Sequence, residues 1–161
     1  MTISHNLAAR LVMVCRARNV RLATAESCTG GLLAAAITDV PGSSAVLDRG
    51  FVTYSDAAKA ELLGVPPGLI ASAGAVSEAV ALRMAAGAKQ RAGVDIAISI
   101  TGIAGPDGGT PQKPVGTVWF GLADLQGGVI SRHVALSGDR QEIRAASVIY
   151  ALNLLLGATG L

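Results

Sequence analysis

The chain has 161 residues, of which 51% are hydrophobic and 15% charged, with a formal net charge of +2. Such an apolar composition excludes intrinsic disorder, and so small a charge, with no basic run interleaved with aromatics, leaves nucleic acid no electrostatic or stacking footprint. The length suits one domain, residues 1–161, and at 3% aromatic its core must be filled by Ala, Val, Leu and Ile, which lets helices and sheet approach closely.

Leu7, Leu11, Val14 and Cys15 recur at helical spacing and predict a first helix from Ser4 to Arg18. Its arginines, Arg10, Arg16 and Arg18, sit within the amphipathic pattern and not ahead of an apolar block, so the segment does not read as a signal peptide. Arg21 to Ala25 reads as a strand and Cys28 to Thr38 as a second helix, stopped by Val40-Pro41-Gly42-Ser43. Val46 to Tyr54 reads as a strand broken at Asp48-Arg49-Gly50, and Asp56 to Leu63 as a short helix ended by Gly64 and Pro66-Pro67. Ser77 is an N-cap candidate for a long helix with Val76, Val80, Met84 and Ala88 on one face. Asp95 to Thr101 is a strand, followed by a glycine-rich loop from Gly102 to Gly109. Val115–Leu122 and Val129–Leu136 form an antiparallel hairpin around Asp124–Gly128. Asp139 caps a closing helix with Ile143, Ala146, Tyr150 and Leu154 inward. That helix holds the longest apolar stretch, Ala145 to Leu156, which Asn153 interrupts and which falls short of the roughly 20 residues of a membrane span. No membrane partner is expected, and the expected compartment is the cytoplasm.

Helices alternate with strands over the first two thirds and a hairpin comes late. This predicts a three-layer α/β/α sandwich with a mixed, mostly parallel sheet and a late antiparallel hairpin. Cys15 and Cys28 make no disulfide framework, and His5 and His133 have no ligating neighbours at metal-site spacing. No metal or cofactor is expected.

Three segments could carry chemistry. Thr24-Ala25-Glu26-Ser27-Cys28-Thr29-Gly30-Gly31 joins a strand to a helix, where unpaired backbone N–H groups gather. Ser27 there reads as an N-cap, a phosphate ligand or a nucleophile. Spacing alone favours the cap, and the paired glycines favour a ligand approaching the backbone. The pattern lacks the lysine of a P-loop and is not Gly-x-Ser-x-Gly. Tyr54-Ser55-Asp56-Ala57-Ala58-Lys59 reads either as a solvated lysine beside a core-edge tyrosine or as the base of a Ser–Lys arrangement, with Tyr54 positioning or relaying the proton. Thr101-Gly102-Ile103-Ala104-Gly105-Pro106-Asp107-Gly108-Gly109 follows a strand carboxyl end, where open α/β sheets place ligands. Its glycines serve a tight turn or let backbone amides wrap a sugar or phosphate. Lys113 reads as a phosphate contact or as merely exposed, and the exposed reading is favoured.

Taken together, Ala25–Gly31, Gly50–Ser55 with Lys59, Gly74–Ser77, Thr101–Pro106 with Gly108-Gly109, and Lys113–Gly116 resemble the C-terminal domain of the competence/damage-inducible CinA family, from about Leu7 to Leu156. That domain also exists as a stand-alone nicotinamide-nucleotide amidohydrolase. Larger members carry an additional N-terminal domain, and a single domain without it is expected over these 161 residues. The resemblance implies hydrolysis of the carboxamide of nicotinamide mononucleotide to nicotinate mononucleotide and ammonia, in pyridine nucleotide recycling. It implies that Ser27, Tyr54 and Lys59 are catalytic. Asp56 stands where many relatives have Asn. The expected mechanism has Ser27 attack the amide carbon while Lys59 takes its proton, directly or through Tyr54. Backbone amides of Cys28, Thr29, Gly30 and Gly31 would hold the oxyanion. Thr101, Gly102, Gly105, Gly108 and Gly109 would hold the ribose phosphate, with charge added by Arg144 or by Arg140. A homo-oligomer is expected from high apolar content and low charge. The alternatives are a non-catalytic module that binds pyridine nucleotides, with Ser27 a cap and ligand, and a competence- or damage-associated interaction module.

Overall fold

The structure, a computed structural model, describes residues 1–160. In chain order it comprises α1 (Ile3–Arg18), β1 (Leu22–Glu26), α2 (Leu32–Thr38), β2 (Leu47–Val52), α3 (Asp56–Leu63), α4 (Pro67–Ala73), α5 (Glu78–Ala92), β3 (Ile96–Gly102), β4 (Thr117–Ala123), β5 (Val129–Ala135) and α6 (Arg140–Ala158). The sheet order is β2-β1-β3-β4-β5. The first three strands are mutually parallel, and β4 runs antiparallel to both β3 and β5. No helix among the described residues is long and apolar enough to cross a membrane.

The alternation of side chains along the central strands divides the interior in two. On β3, Ile96, Ile98 and Ile100 enter the core shared with α1, α2 and α6, while Ala97 enters the core shared with α3, α4 and α5. On β1 the same split sends Leu22 one way and Ala23 and Ala25 the other. Large residues therefore floor one face and small ones the other, as a period of two in a strand requires. On the small face α5 packs so closely that a Cβ on Gly121 would overlap the Ala81 carbonyl oxygen. The Ser99 hydroxyl, buried in the same contact, donates to Ala81 O at 2.6 Å and accepts the Gly121 N–H at 3.0 Å. The sandwich predicted from the order of elements is thus the one observed, and its close approach follows from the scarcity of large side chains.

Four details depart from the sequence reading. The second helix begins at Leu32, not Cys28, because Gly30 and Gly31 adopt left-handed φ values of 57° and 102°. That conformation is the reason for the glycine pair. Pro66-Pro67, read as a stop, instead opens α4, with Pro67 at the first helical position where its missing N–H does no harm. The β2 strand runs unbroken through Asp48-Arg49-Gly50. On α6 the buried stripe is Ile143, Ser147, Val148, Ala151, Leu152, Leu155 and Leu156, whereas Ala146, Tyr150 and Leu154 are only half-buried. The Tyr150 ring meets Phe120 at the rim of that core, with ring centroids 4.7 Å apart.

Close packing on the small face also sets the position of α3. A Cβ on Gly87 of α5 would overlap the Leu63 carbonyl at the end of α3. Gly87→Ala should destabilise the fold by about 1–3 kcal/mol in urea unfolding, through overpacking against backbone that cannot yield. Gly68→Ala, where a Cβ meets nothing within 4 Å, should be neutral or slightly stabilising. Equal midpoints for the two variants would contradict the contact.

Candidate active site

The strands β1 and β3 end side by side, with Glu26 opposite Ile100. The chain leaves β1 at Ser27, whose N–H still donates to Ile100 O at 2.9 Å. It then turns through Gly30, whose N–H donates back to Ser27 O at 3.0 Å, before α2 begins. The sheet therefore fixes Ser27 at a strand carboxyl end. Its side chain, 8% exposed, opens onto a cleft of about 280 Å³.

Lys59 enters from the other side. It lies on α3, which is started by Ser55: the Ser55 hydroxyl accepts the Ala58 N–H at 3.0 Å. Lys59 is only 1% exposed and forms no salt bridge among the described residues. Its Nζ lies 2.9 Å from Thr53 O, 3.3 Å from Tyr54 O and 3.1 Å from Ser27 Oγ. Burial lowers its pKa from the usual 10.5, and Asp56 and then Cys28 oppose that shift. The amine therefore has three oxygen neighbours, two of them backbone carbonyls, which only accept, and the third a hydroxyl, which can accept or donate. The lysine thus reaches Ser27 directly. The Tyr54 hydroxyl instead accepts from Arg140 Nη2 at 3.0 Å, and its ring is 60% exposed at the cleft mouth.

Cys28, beside the serine, lines the same cleft, but burial pushes its thiol up to about 11 from 9.0. It stays protonated near neutrality, and the thiolate is the nucleophilic form. Of the two adjacent side chains, the serine is the one that shares a hydrogen bond with Lys59.

The remaining walls come from loops. Ala75 and Val76 form one side, and the Thr101 hydroxyl ties that segment by donating to Ala75 O at 2.8 Å. Lys113, read as exposed, is half-buried, and its Nζ donates to Ala73 O at 2.8 Å, strapping the same segment. Gly102, Gly105 and Gly108 line the cleft, whereas Gly109 packs against Val115. Thr29 is fully buried, and neither it nor Gly30 or Gly31 lines the cleft. Arg144 also stands outside the cleft: its guanidinium donates to Cys28 O at 3.0 Å and Thr29 O at 3.3 Å. The arginine that lines the cleft is Arg140, whose Nη1 donates to Gly105 O at 2.7 Å. Asp107, Ala75 and Val76 line it too, unforeseen as site residues although they lie in the quoted loop motifs.

Comparison with known proteins places this geometry. A family model described as the CinA C-terminal domain matches residues 4–159. The chain is 51% identical over 152 residues to the nicotinamide-nucleotide amidohydrolase PncC of Enterobacter agglomerans, covering 94% of this chain and 93% of that protein. It is 54% identical over 140 residues to the protein of the same name from Escherichia coli strain K12, covering 87% and 85%. A solved structure of the competence/damage inducible protein CihA from Agrobacterium tumefaciens superposes with a TM-score of 0.96 at 43% identity, covering 98% of this chain and 96% of that one.

The buried amine makes a prediction about stability. Lys59 binds its proton less tightly in the fold than in the unfolded chain, so between its lowered value and 10.5 the unfolded chain is the more protonated. Stability then rises with pH through that window, and the penalty is complete below it. The urea midpoint of the wild type should climb relative to that of Lys59→Met as pH is raised from neutrality toward 10.5. A pH-independent difference would contradict the burial of an unpaired amine.

Proposed function

The chain belongs to the CinA C-terminal domain family, and from that premise we propose that it hydrolyses the carboxamide of nicotinamide mononucleotide, giving nicotinate mononucleotide and ammonia. The observation that carries this reading is the buried Lys59 amine, whose Nζ lies 3.1 Å from Ser27 Oγ and is otherwise held by Thr53 O and Tyr54 O.

Ser27 Oγ attacks the amide carbon as Lys59 takes the hydroxyl proton. The carbonyl π bond opens to an oxyanion. The Cys28 backbone N–H, next to the nucleophile on a residue that lines the cleft, is the best-placed donor to it. One such donor lowers the barrier by about 3–4 kcal/mol in serine hydrolases. The tetrahedral intermediate collapses, the C–N bond breaks, and the Lys59 proton leaves with ammonia. Water, deprotonated by the same amine, then attacks the acyl-serine, and nicotinate mononucleotide departs with Ser27 reprotonated.

The other residues have graded roles. Tyr54 contributes through its carbonyl, which holds Lys59, and through a ring that walls the pyridine. Thr101 and the Gly102–Gly108 loop shape the pocket for ribose and phosphate. Arg140 supplies positive charge at the mouth. Arg144 acts on the turn carbonyls and so shapes the oxyanion donors without touching substrate. The reaction requires no redox change, and its location and assembly are expected to be those of a cytoplasmic homo-oligomer.

Ammonia release from nicotinamide mononucleotide should fall by about 1000-fold or more in Ser27→Ala and in Lys59→Ala, with both variants folded by circular dichroism. Saturable binding without product by the wild type would instead identify a non-catalytic nucleotide-binding module. Arg140→Ala should raise KM for the mononucleotide about tenfold with a smaller change in kcat. A KM unchanged in that variant would remove Arg140 from the phosphate. The kcat/KM profile should rise with pH to a plateau whose midpoint lies below 10.5, reporting Lys59 in its neutral form.

A further inference from the structure

Glu26 ends β1 immediately before the nucleophile and is 1% exposed. It does not line the cleft and makes no ion pair among the described residues. Its carboxylate reaches past the turn: Oε1 accepts the Leu33 N–H at 2.9 Å and Oε2 accepts the Ala34 N–H at 3.1 Å. These are first-turn donors of α2. That helix has Gly31 at its N-cap, no side-chain cap there and no acidic residue in its first turn. The cap that a serine or aspartate normally supplies locally comes here from the preceding strand. The Glu26 backbone has a second tie, because its carbonyl accepts the Thr53 N–H at 2.9 Å. Thr53 O in turn holds Lys59 Nζ.

We infer that Glu26 is a positioning residue for the reaction, a strut that spans the Ser27–Gly31 turn and fixes the Ser27 hydroxyl against Lys59. The inference rests on the Ser27–Lys59 reading above. The carboxylate closes a loop from the strand that carries the nucleophile to the helix that follows it, and the turn between them has two left-handed glycines that give it no stiffness of its own. The strut also occupies the α2 terminus, so the oxyanion donors must come from the turn.

The backbone tie survives substitution at this position and the side-chain tie does not, so variants isolate the strut. Glu26→Asp keeps the charge but shortens the arm by one methylene, about 1.5 Å. Glu26→Gln keeps the length but leaves one amide without an acceptor. Two readouts are taken on the full chain: kcat and KM for nicotinamide mononucleotide, and the rate at which an alkyl fluorophosphonate modifies Ser27, followed by intact mass. In the second, the Ser27 Oγ–P bond forms, the P–F bond breaks, fluoride leaves, and the hydroxyl proton passes to Lys59. Displacement of a reacting group by about 1 Å reduces rate by about 100-fold. Both kcat and the phosphonylation rate should therefore fall together, by about 10- to 100-fold, with KM within about threefold of wild type. Adding Leu32→Asp to Glu26→Gln places an acid at an exposed first-turn position of α2. It should recover thermal stability without recovering either rate. A folded Glu26→Asp with wild-type rates, a loss confined to KM, or recovery of both rates along with stability would each overturn the assignment. A wild type that is phosphonylated at Ser27 but releases no ammonia defeats the substrate reading alone, and the phosphonylation comparison still decides the role of Glu26.

Discussion

A primary amine held out of water, with no carboxylate partner among the described residues, is the constraint on which the rest of the site depends. Desolvation disfavours the ammonium, and the fold compensates with two backbone carbonyls rather than with a counter-charge. Carbonyls satisfy N–H groups without restoring the full preference for the charged form. A carboxylate in the same place would raise the lysine pKa and favour the ammonium. Both carbonyls belong to Thr53 and Tyr54, in the segment that leaves β2, and Thr53 is registered on β1 through its N–H to Glu26 O. The amine of Lys59 is thereby positioned by the same strand that carries Ser27 at its end.

The central sheet makes that registration rigid. Parallel pairing of β1 with β2 and β3 brings the ends of all three strands to one edge. Small residues on one face let α5 approach, α3 rests on α5 at Gly87, and Lys59 hangs from α3. On the opposite face, isoleucines and leucines seat α6, which brings Arg140 to the cleft and Arg144 to the turn carbonyls. The cleft is the place where the two layers of helices meet over the strand ends, in keeping with the general location of ligand sites in open α/β sheets.

Much of this was legible in the sequence because it depends on period and punctuation. Alternation along Ile96–Ile100 and the caps at Ser77 and Asp139 act locally, and the elements fall where they predict. The pairing of Ser27 with Lys59 was visible as chemistry and as a resemblance, but 32 positions separate the two residues, and only the sheet determines whether they touch. Less legible were effects that depend on long reach. Glu26 stood just past the predicted strand, beside Ser27, and nothing in its spacing says that its carboxylate caps a helix beyond the next turn. The glycines at 30 and 31 looked like room for a ligand and are instead needed for left-handed backbone. Arg140 and Arg144 stand one helical turn apart, and sequence alone could not say which faced the cleft and which faced the protein.

The central claim is that Ser27 is a nucleophile driven by a neutral lysine. Rapid acid quench during turnover of nicotinamide mononucleotide, followed by peptide mass spectrometry, tests it most directly. The account predicts a burst of ammonia ahead of nicotinate mononucleotide release, and a peptide in which Ser27 carries the substrate acyl group as an ester. An adduct on another residue, or ammonia and nicotinate mononucleotide appearing in step with no adduct at Ser27, would contradict it.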